Sequence, residues 1–346
     1  MVTPKNVAAI AGLGLLLLFM TKAFGRKGNG FPGVTTQETT CPKGTLVHLI
    51  ETKGKISAGF GWLADGAKDE CSLKVLSETE DMYGPQLVVE NEDTTVRCMY
   101  MQSAKALKQK GKVNLNTETC VVMNNPNDLQ FGLYKALVYP VTQMCDWAPK
   151  RVLVIGVGGG LTPRAYHTLF PRAVVTGVEI QPEVARLAQK FFLYKPDGKH
   201  QVLVIEDGQK YVENHKGEGF DVIIIDAFNA QVENDNVPKF VSTDAFLSKV
   251  SAALSPEGVM LVNCFSDTEM LKSHVLKDNF ARAWKMRSIE MGNIVVAATN
   301  NAAHWAPLFD DREVLTMKDT CPALKDTVET MNFDKFVAKS KPFVYY

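Results

Sequence analysis

The sequence predicts an α/β protein: a doubly wound, mostly parallel sheet, preceded by a small β-rich domain and an N-terminal hydrophobic segment. Three observations predict it. Apolar runs at Val152–Ile155, Val174–Val178, Val202–Ile205, Val222–Ile225, Val259–Val262 and Ile294–Ala298 alternate with helix-like stretches such as Pro182–Phe192 and Thr243–Ala253. Runs that are apolar at every position fit strands buried on both faces, and crossover helices join such strands. Before residue 122 the pattern is that of short strands and hairpins. At the start, Val7–Met20 carries no charge at all.

The elements follow in order. Residues 1–30 read as a signal-anchor or a signal peptide with a basic flank. The apolar run is shorter than the ~20 residues of a comfortable spanning helix. No small-x-small cleavage site follows it, which favours an uncleaved anchor over a cleaved signal peptide. Lys22, Arg26 and Lys27 follow the run, and such a basic excess holds the bulk of an anchored chain on the cytoplasmic side. Residues 31–125 read as a linker and a β-rich domain. Strands are expected at Leu46–Ile50, Leu73–Leu76, Gln86–Glu90 and Thr95–Tyr100, the last two flanking the acidic turn Asn91-Glu92-Asp93. Asn124-Asn125-Pro126-Asn127-Asp128 breaks the chain. Leu129–Tyr139 has helical spacing and opens the α/β domain, residues 126–305. Residues 306–346 read as a C-terminal tail.

Composition limits the function. Of 346 residues, 38 are Lys or Arg and 38 are Asp or Glu, so the formal charge is zero. That balance argues against a duplex nucleic-acid partner. A hydrophobic share of 46% with 22% charged residues excludes wholesale disorder and a polytopic membrane protein. Seven cysteines, five of them before residue 150, contain no CxxC. No metal-ligand set is expected. The cysteines fit either disulfides in a secreted chain or buried thiols in a cytosolic one.

In doubly wound sheets, ligands bind at the carboxyl ends of the strands. After the first run comes Gly156-Val157-Gly158-Gly159-Gly160, a turn that lets the backbone approach a ligand and opens a helix N-terminus. Gly156, Gly158 and Gly160 are candidate cofactor-binding residues. After the second run comes Glu179, placed to accept from ribose hydroxyls. After the third come Asp207 and Gly208, and after the fourth Asp226. Each acid alone is as well explained as a helix cap. Three in succession behind a glycine turn indicate a nucleotide-type site. Leu161 replaces the third glycine of G-x-G-x-x-G, so the set suits an adenosine with a small charged tail better than a dinucleotide. His167, His200, His215 and His274 are scattered and take no role.

The stretch VLVIGVGGGLTPRAYHTLFPRAVVTGVEIQPEVARLAQKFF resembles the core of the class I S-adenosylmethionine-dependent methyltransferase superfamily. FDVIIIDAFNA and STDAFLSKVSAALSPEGVMLVN are similar to the spermidine/spermine synthase-like branch, and GVGGGLTPR resembles the methyltransferase 13-like proteins, which methylate elongation factor 1-alpha. The resemblance spans ~200 residues. It implies S-adenosylmethionine as cofactor and the homodimers of that branch. It also implies an amine-bearing protein or small molecule as acceptor, with Asp226 as the base.

Departures from the branch bear on the reaction. Gly159 stands where polyamine synthases carry an Asp, Asn229 replaces the second Asp of their D-x-x-D, and Leu133-Tyr134-Lys135 stands for Tyr-His-Glu. A polyamine is a multiple cation, and its pocket needs carboxylates to offset desolvation. The changes weaken such binding by ~1–3 kcal/mol per lost charge-assisted contact. Methyl transfer to a protein or small amine is therefore the expected activity, with Asn229 and Tyr134 as candidate substrate-binding residues. Aminopropyl transfer and a non-catalytic interaction role are the alternatives.

Overall fold

The structure is a computed structural model. It describes the strands between residues 34 and 122, then residues 123–129, 131–227, 238–264, 274–288, 293–310, 320–331, 333 and 338–342. The hydrophobic run Val7–Met20 and candidate residue Asn229 lie outside the described residues. Among the described residues no helix is long and apolar enough to cross a membrane.

The first region is antiparallel. β1 (Val34–Thr36), β3 (Val47–Thr52) and β4 (Lys55–Phe60) form one small sheet, and β2 (Thr39–Pro42) pairs with β5 (Lys68–Cys71). A four-stranded meander follows: β6 (Leu73–Asp81), β7 (Gly84–Asn91), β8 (Val96–Gln102) and β9 (Leu115–Val122). Leu87, Val89 and Tyr100 of this meander share a core with Leu129, Phe131 and Leu137 of the following segment. Arg97 on β8 forms an ion pair with Glu90, donating from Nε to Oε2 at 2.9 Å, and donates from Nη1 to the Phe191 carbonyl at 2.7 Å. The meander is thereby fixed to the α/β domain.

The second region is built on an eight-stranded sheet among the described residues, in the order β12-β11-β10-β13-β14-β16-β15-β17. Its strands are β10 (Arg151–Ile155), β11 (Val174–Glu179), β12 (Gln201–Ile205), β13 (Phe220–Ile225), β14 (Leu254–Cys264), β15 (Arg282–Ser288), β16 (Ile294–Thr299) and β17 (Ala338–Pro342). β10 to β14 are mutually parallel, and β16 runs antiparallel to both its neighbours. Successive side chains on a strand face opposite sides. Val152, Val154, Val222 and Ile224 accordingly enter one core, while Leu153, Ile155, Ile223 and Ile225 enter the other. Each such burial contributes about 1.5–3 kcal/mol, which is why these runs hold the middle of the sheet.

The helices are α1 (Gly132–Thr142), α2 (Leu161–Leu169), α3 (Pro182–Phe191), α4 (Gly208–Asn214), α5 (Asp244–Ala253), α6 (Val275–Asn279), α7 (Ala302–Phe309) and α8 (Lys325–Glu329). α1 and α2 cover the first core, and α5 covers the second.

The sheet does not stop at residue 305. The tail supplies the edge strand β17, and Trp284 donates from Nε1 to Asp310 at 2.6 Å. Two disulfides close among the described residues: Cys98–Cys120, across β8 and β9, and Cys145–Cys321, which ties the tail to the segment after α1. Cys264 is buried and lies outside both disulfides.

Candidate functional site

The glycine turn leaves β10 at its carboxyl end. Gly156, Gly158 and Gly160 have φ of +88°, +52° and +78°, a region that L side chains rarely adopt. Gly156 is constrained twice, because a Cβ there would stand 2.2 Å from the carbonyl oxygen of Asp226. The turn therefore lies flat against the end of β13. At Gly158 a Cβ would meet nothing within 4 Å. This is the open side of the turn, where a ligand can reach bare backbone.

Glu179 ends β11 and folds back under the turn. Its Oε2 accepts from the N–H groups of Val157 (3.0 Å) and Gly158 (3.3 Å), and its Oε1 from Gln181 (3.0 Å). Burial pushes its carboxyl above the usual range, and these backbone donors pull it back. Ile180, next to it, is 44% exposed, and Ile205, at the end of β12, is 47% exposed. Two bare isoleucines at neighbouring strand ends offer the apolar faces that an adenine ring needs. Asp207 follows β12. Its Oδ1 caps α4 by accepting from Gln209 (2.8 Å) and Lys210 (3.4 Å). Gly208 has a packing reason of its own, because a Cβ there would come within 2.3 Å of Ile155 Cγ2.

Asp226 follows β13 directly. Its N–H donates to the Ile155 carbonyl at 2.8 Å, and its Oδ1 accepts from Asn263 Nδ2 at 2.8 Å. Burial raises its carboxyl to about 6; the Asn263 bond opposes that rise, and the charge of Glu179 adds to it. A second acid, Glu118, reaches the same place from β9. Burial, then Asp226, then Glu179 push it up to about 7. Register explains its aim. Met99 pairs with Thr119 and Tyr100 with Thr117, so Glu118 is the extra residue of a β-bulge. Bulges re-aim side chains at functional edges. Tyr134 on α1 donates from its hydroxyl to the Glu118 carbonyl at 2.7 Å and holds the bulge in place. Burial, with Asp226 adding, raises the Tyr134 phenol above its ordinary value, so it stays a donor.

The structure thus brings together Gly156, Gly158, Glu179, Tyr134 and Asp226, with Asp207 on the neighbouring strand end. Gly160 turns the chain into α2 and packs on Tyr194, whose Cβ would lie 2.5 Å from a Cβ at that position. At Gly159 a Cβ would stand 2.4 Å from Thr119 Cγ2, so Thr119 fills the space an acidic side chain would take there. Lys135 is buried within α1. Sequence reasoning missed Glu118, Asn263 and Asn293. Asn263 follows the fifth apolar run, so the strand-end rule that found Glu179 and Asp226 covers it; Asn293 precedes the sixth and reaches the same edge only because β16 is antiparallel.

The sheet order, the glycine turn and the acids after successive strands define the class: an α/β protein with a Rossmann-like fold. Within it, residues 132–296 match the spermine/spermidine synthase domain, so this part of the chain is a spermidine synthase-like domain. It is 28% identical over 204 residues to a polyamine aminopropyltransferase of Vibrio vulnificus, a match covering 57% of this chain and 61% of that one. It is 32% identical over 135 residues to the human eEF1A lysine and N-terminal methyltransferase, covering 37% of this chain and 19% of that one. The chain therefore spans about three fifths of the first relative and about a fifth of the second. Among solved structures, a probable spermidine synthase from Corynebacterium glutamicum superposes with a TM-score of 0.56 at 19% identity, covering 77% of this chain and 90% of that one.

Proposed function

We propose that this protein transfers a methyl group from S-adenosylmethionine to an amine on a protein or small molecule. The observation that carries the reading is Asp226, a half-buried carboxyl with a raised pKa beside a glycine turn that Glu179 supports. The residues fit the donor. Gly158 would present backbone to the charged tail in the turn that Gly156 packs onto Asp226, Glu179 would accept from the ribose, and Ile180 and Ile205 would flank the adenine. A bound donor supplies an electrophilic carbon on a sulfonium, from which sulfur leaves with the bonding pair. The chain supplies alignment and a place for the proton. Asp226 accepts a hydrogen bond from the acceptor ammonium and then takes its proton, which frees the lone pair that forms the new N–C bond.

Aminopropyl transfer is the second reading, and Glu118 is what favours it. Gly159 and Asn229 take carboxylates away from a polyamine site, whereas Glu118 restores one from the β-rich region. Two disulfides support an oxidising compartment, which favours a chain anchored facing the lumen or carried into the secretory pathway by residues 1–30 over the cytoplasmic orientation that the basic flank alone implies. The test is calorimetric titration of the full chain with S-adenosylmethionine and with its decarboxylated form. Preference for S-adenosylmethionine supports methyl transfer, preference for the decarboxylated form supports aminopropyl transfer, and binding of neither leaves a non-catalytic role.

A further inference from the structure

Behind Asp226 lies a pair of amides that the transfer chemistry does not itself require. Asn263 sits near the carboxyl end of β14, and Asn293 immediately precedes β16, whose antiparallel course brings its start to the same edge. They are 3% and 7% exposed. Asn293 Nδ2 donates to Asn263 Oδ1 at 2.8 Å, and Asn263 Nδ2 donates to Asp226 Oδ1 at 2.8 Å. The polarity of this chain is forced. An ionised carboxylate is acceptor-only, so Asn263 must turn its NH₂ toward Asp226. Its oxygen then faces Asn293, which must donate. Were Asn263 to flip, its oxygen would meet the carboxylate and its NH₂ would meet another NH₂.

We propose that Asn263 and Asn293 are positioning residues, a two-amide relay that ties down Oδ1 of Asp226 and presents Oδ2 to the amine acceptor. The inference rests on the role given to Asp226 above. Its backbone is already locked by the Ile155 carbonyl and by the contact with Gly156. The relay fixes the remaining side-chain rotation, so the carboxylate meets the acceptor in one orientation. It also works on charge. Glu179 on β11 favours its protonated form, while the Glu118 carboxyl on β9, which Asp226 itself pushes up, and the Tyr134 phenol on α1 lie near it. The Asn263 N–H is the side-chain donor that favours the ionised form.

The experiment is a ¹³C carboxyl titration of the full chain labelled at aspartate, with the Asp226 signal assigned by its loss in Asp226→Asn. Wild type is compared with Asn263→Ala and Asn293→Leu; the second variant removes only the distal donor and serves if the first fails to fold. The Asp226 midpoint, near 6 in wild type, is expected to move to higher pH in both variants, with S-adenosylmethionine affinity unchanged. Turnover on two probes, a lysine peptide with S-adenosylmethionine and 1,4-diaminobutane with the decarboxylated donor, is expected to fall about 10–100-fold. An unmoved midpoint overturns the relay. Loss of donor affinity overturns it as well, by placing the asparagines in the donor site. A wild type inactive on both probes contradicts the proposed transfer, and the titration still decides the relay.

Discussion

Two aspartates flank the same strand and do opposite things. Asp221, at the entry of β13, is satisfied by donors: its Oδ2 accepts from the N–H groups of Lys150 (2.7 Å) and Arg151 (2.9 Å), and its Oδ1 from Ser255 Oγ (2.7 Å). Asp226, past the exit of β13, has one side-chain donor among the described residues, Asn263, and two carboxylates facing it. The first carboxylate joins β10, β13 and β14 at the bottom of the sheet. The second is buried at some cost and held ready to accept a proton. The residue type is the same, so what separates a structural carboxylate from a reactive one is the number of donors its neighbours supply.

Substitutions sharpen this contrast, the largest effect first. Asp226→Asn is expected to lower turnover about 10²–10⁴-fold while the melting temperature holds or rises, because an unfavourable buried charge is removed. Steady-state kinetics and thermal melting check this together. Gly156→Ala is expected to lose about 1–3 kcal/mol from its φ of +88° alone, with a further loss from the clash with Asp226 and weaker donor binding. Denaturant unfolding and calorimetry read the two effects. Asp221→Ala is expected to cost about 1–3 kcal/mol of stability by stranding three donors, with donor affinity retained. A loss of turnover without a loss of stability in Asp221→Ala would break the contrast.

pH dependence gives a separate test of the contrast. Glu118 and Asp226 carry folded-state values of about 7 and about 6, above their unfolded values of 4.5 and 3.8. Between those limits the folded state binds more protons than the unfolded one, so these groups make stability fall as pH rises from about 4 to about 7. Glu118→Gln is expected to flatten that fall and to melt higher than wild type at pH 8. Melting curves across pH 4–8 test it.

The strands that position the donor site were legible because burial on both faces demands unbroken apolar runs. Val152–Ile155 and Val222–Ile225 could hardly be anything else. β15 was not legible, since Arg282, Lys285 and Arg287 interrupt a strand exposed along part of its length. Nor was β17, an edge strand reading Ala-Lys-Ser-Lys-Pro. Glu179 and Asp226 were legible because they follow their strands directly. Glu118 left no local signal, because its aim comes from a bulge set by pairing with β8. Asn263 carries a signal in the sequence, an amide directly after an apolar run.

The central claim is that one strand edge holds two separable functions, donor binding at Glu179 and acceptor activation at Asp226. Calorimetric titration of S-adenosylmethionine into Glu179→Ala and Asp226→Asn, side by side with wild type, tests it most directly. The account predicts binding by wild type and by Asp226→Asn, and none by Glu179→Ala. Undiminished binding by Glu179→Ala, or its loss in Asp226→Asn, would contradict it.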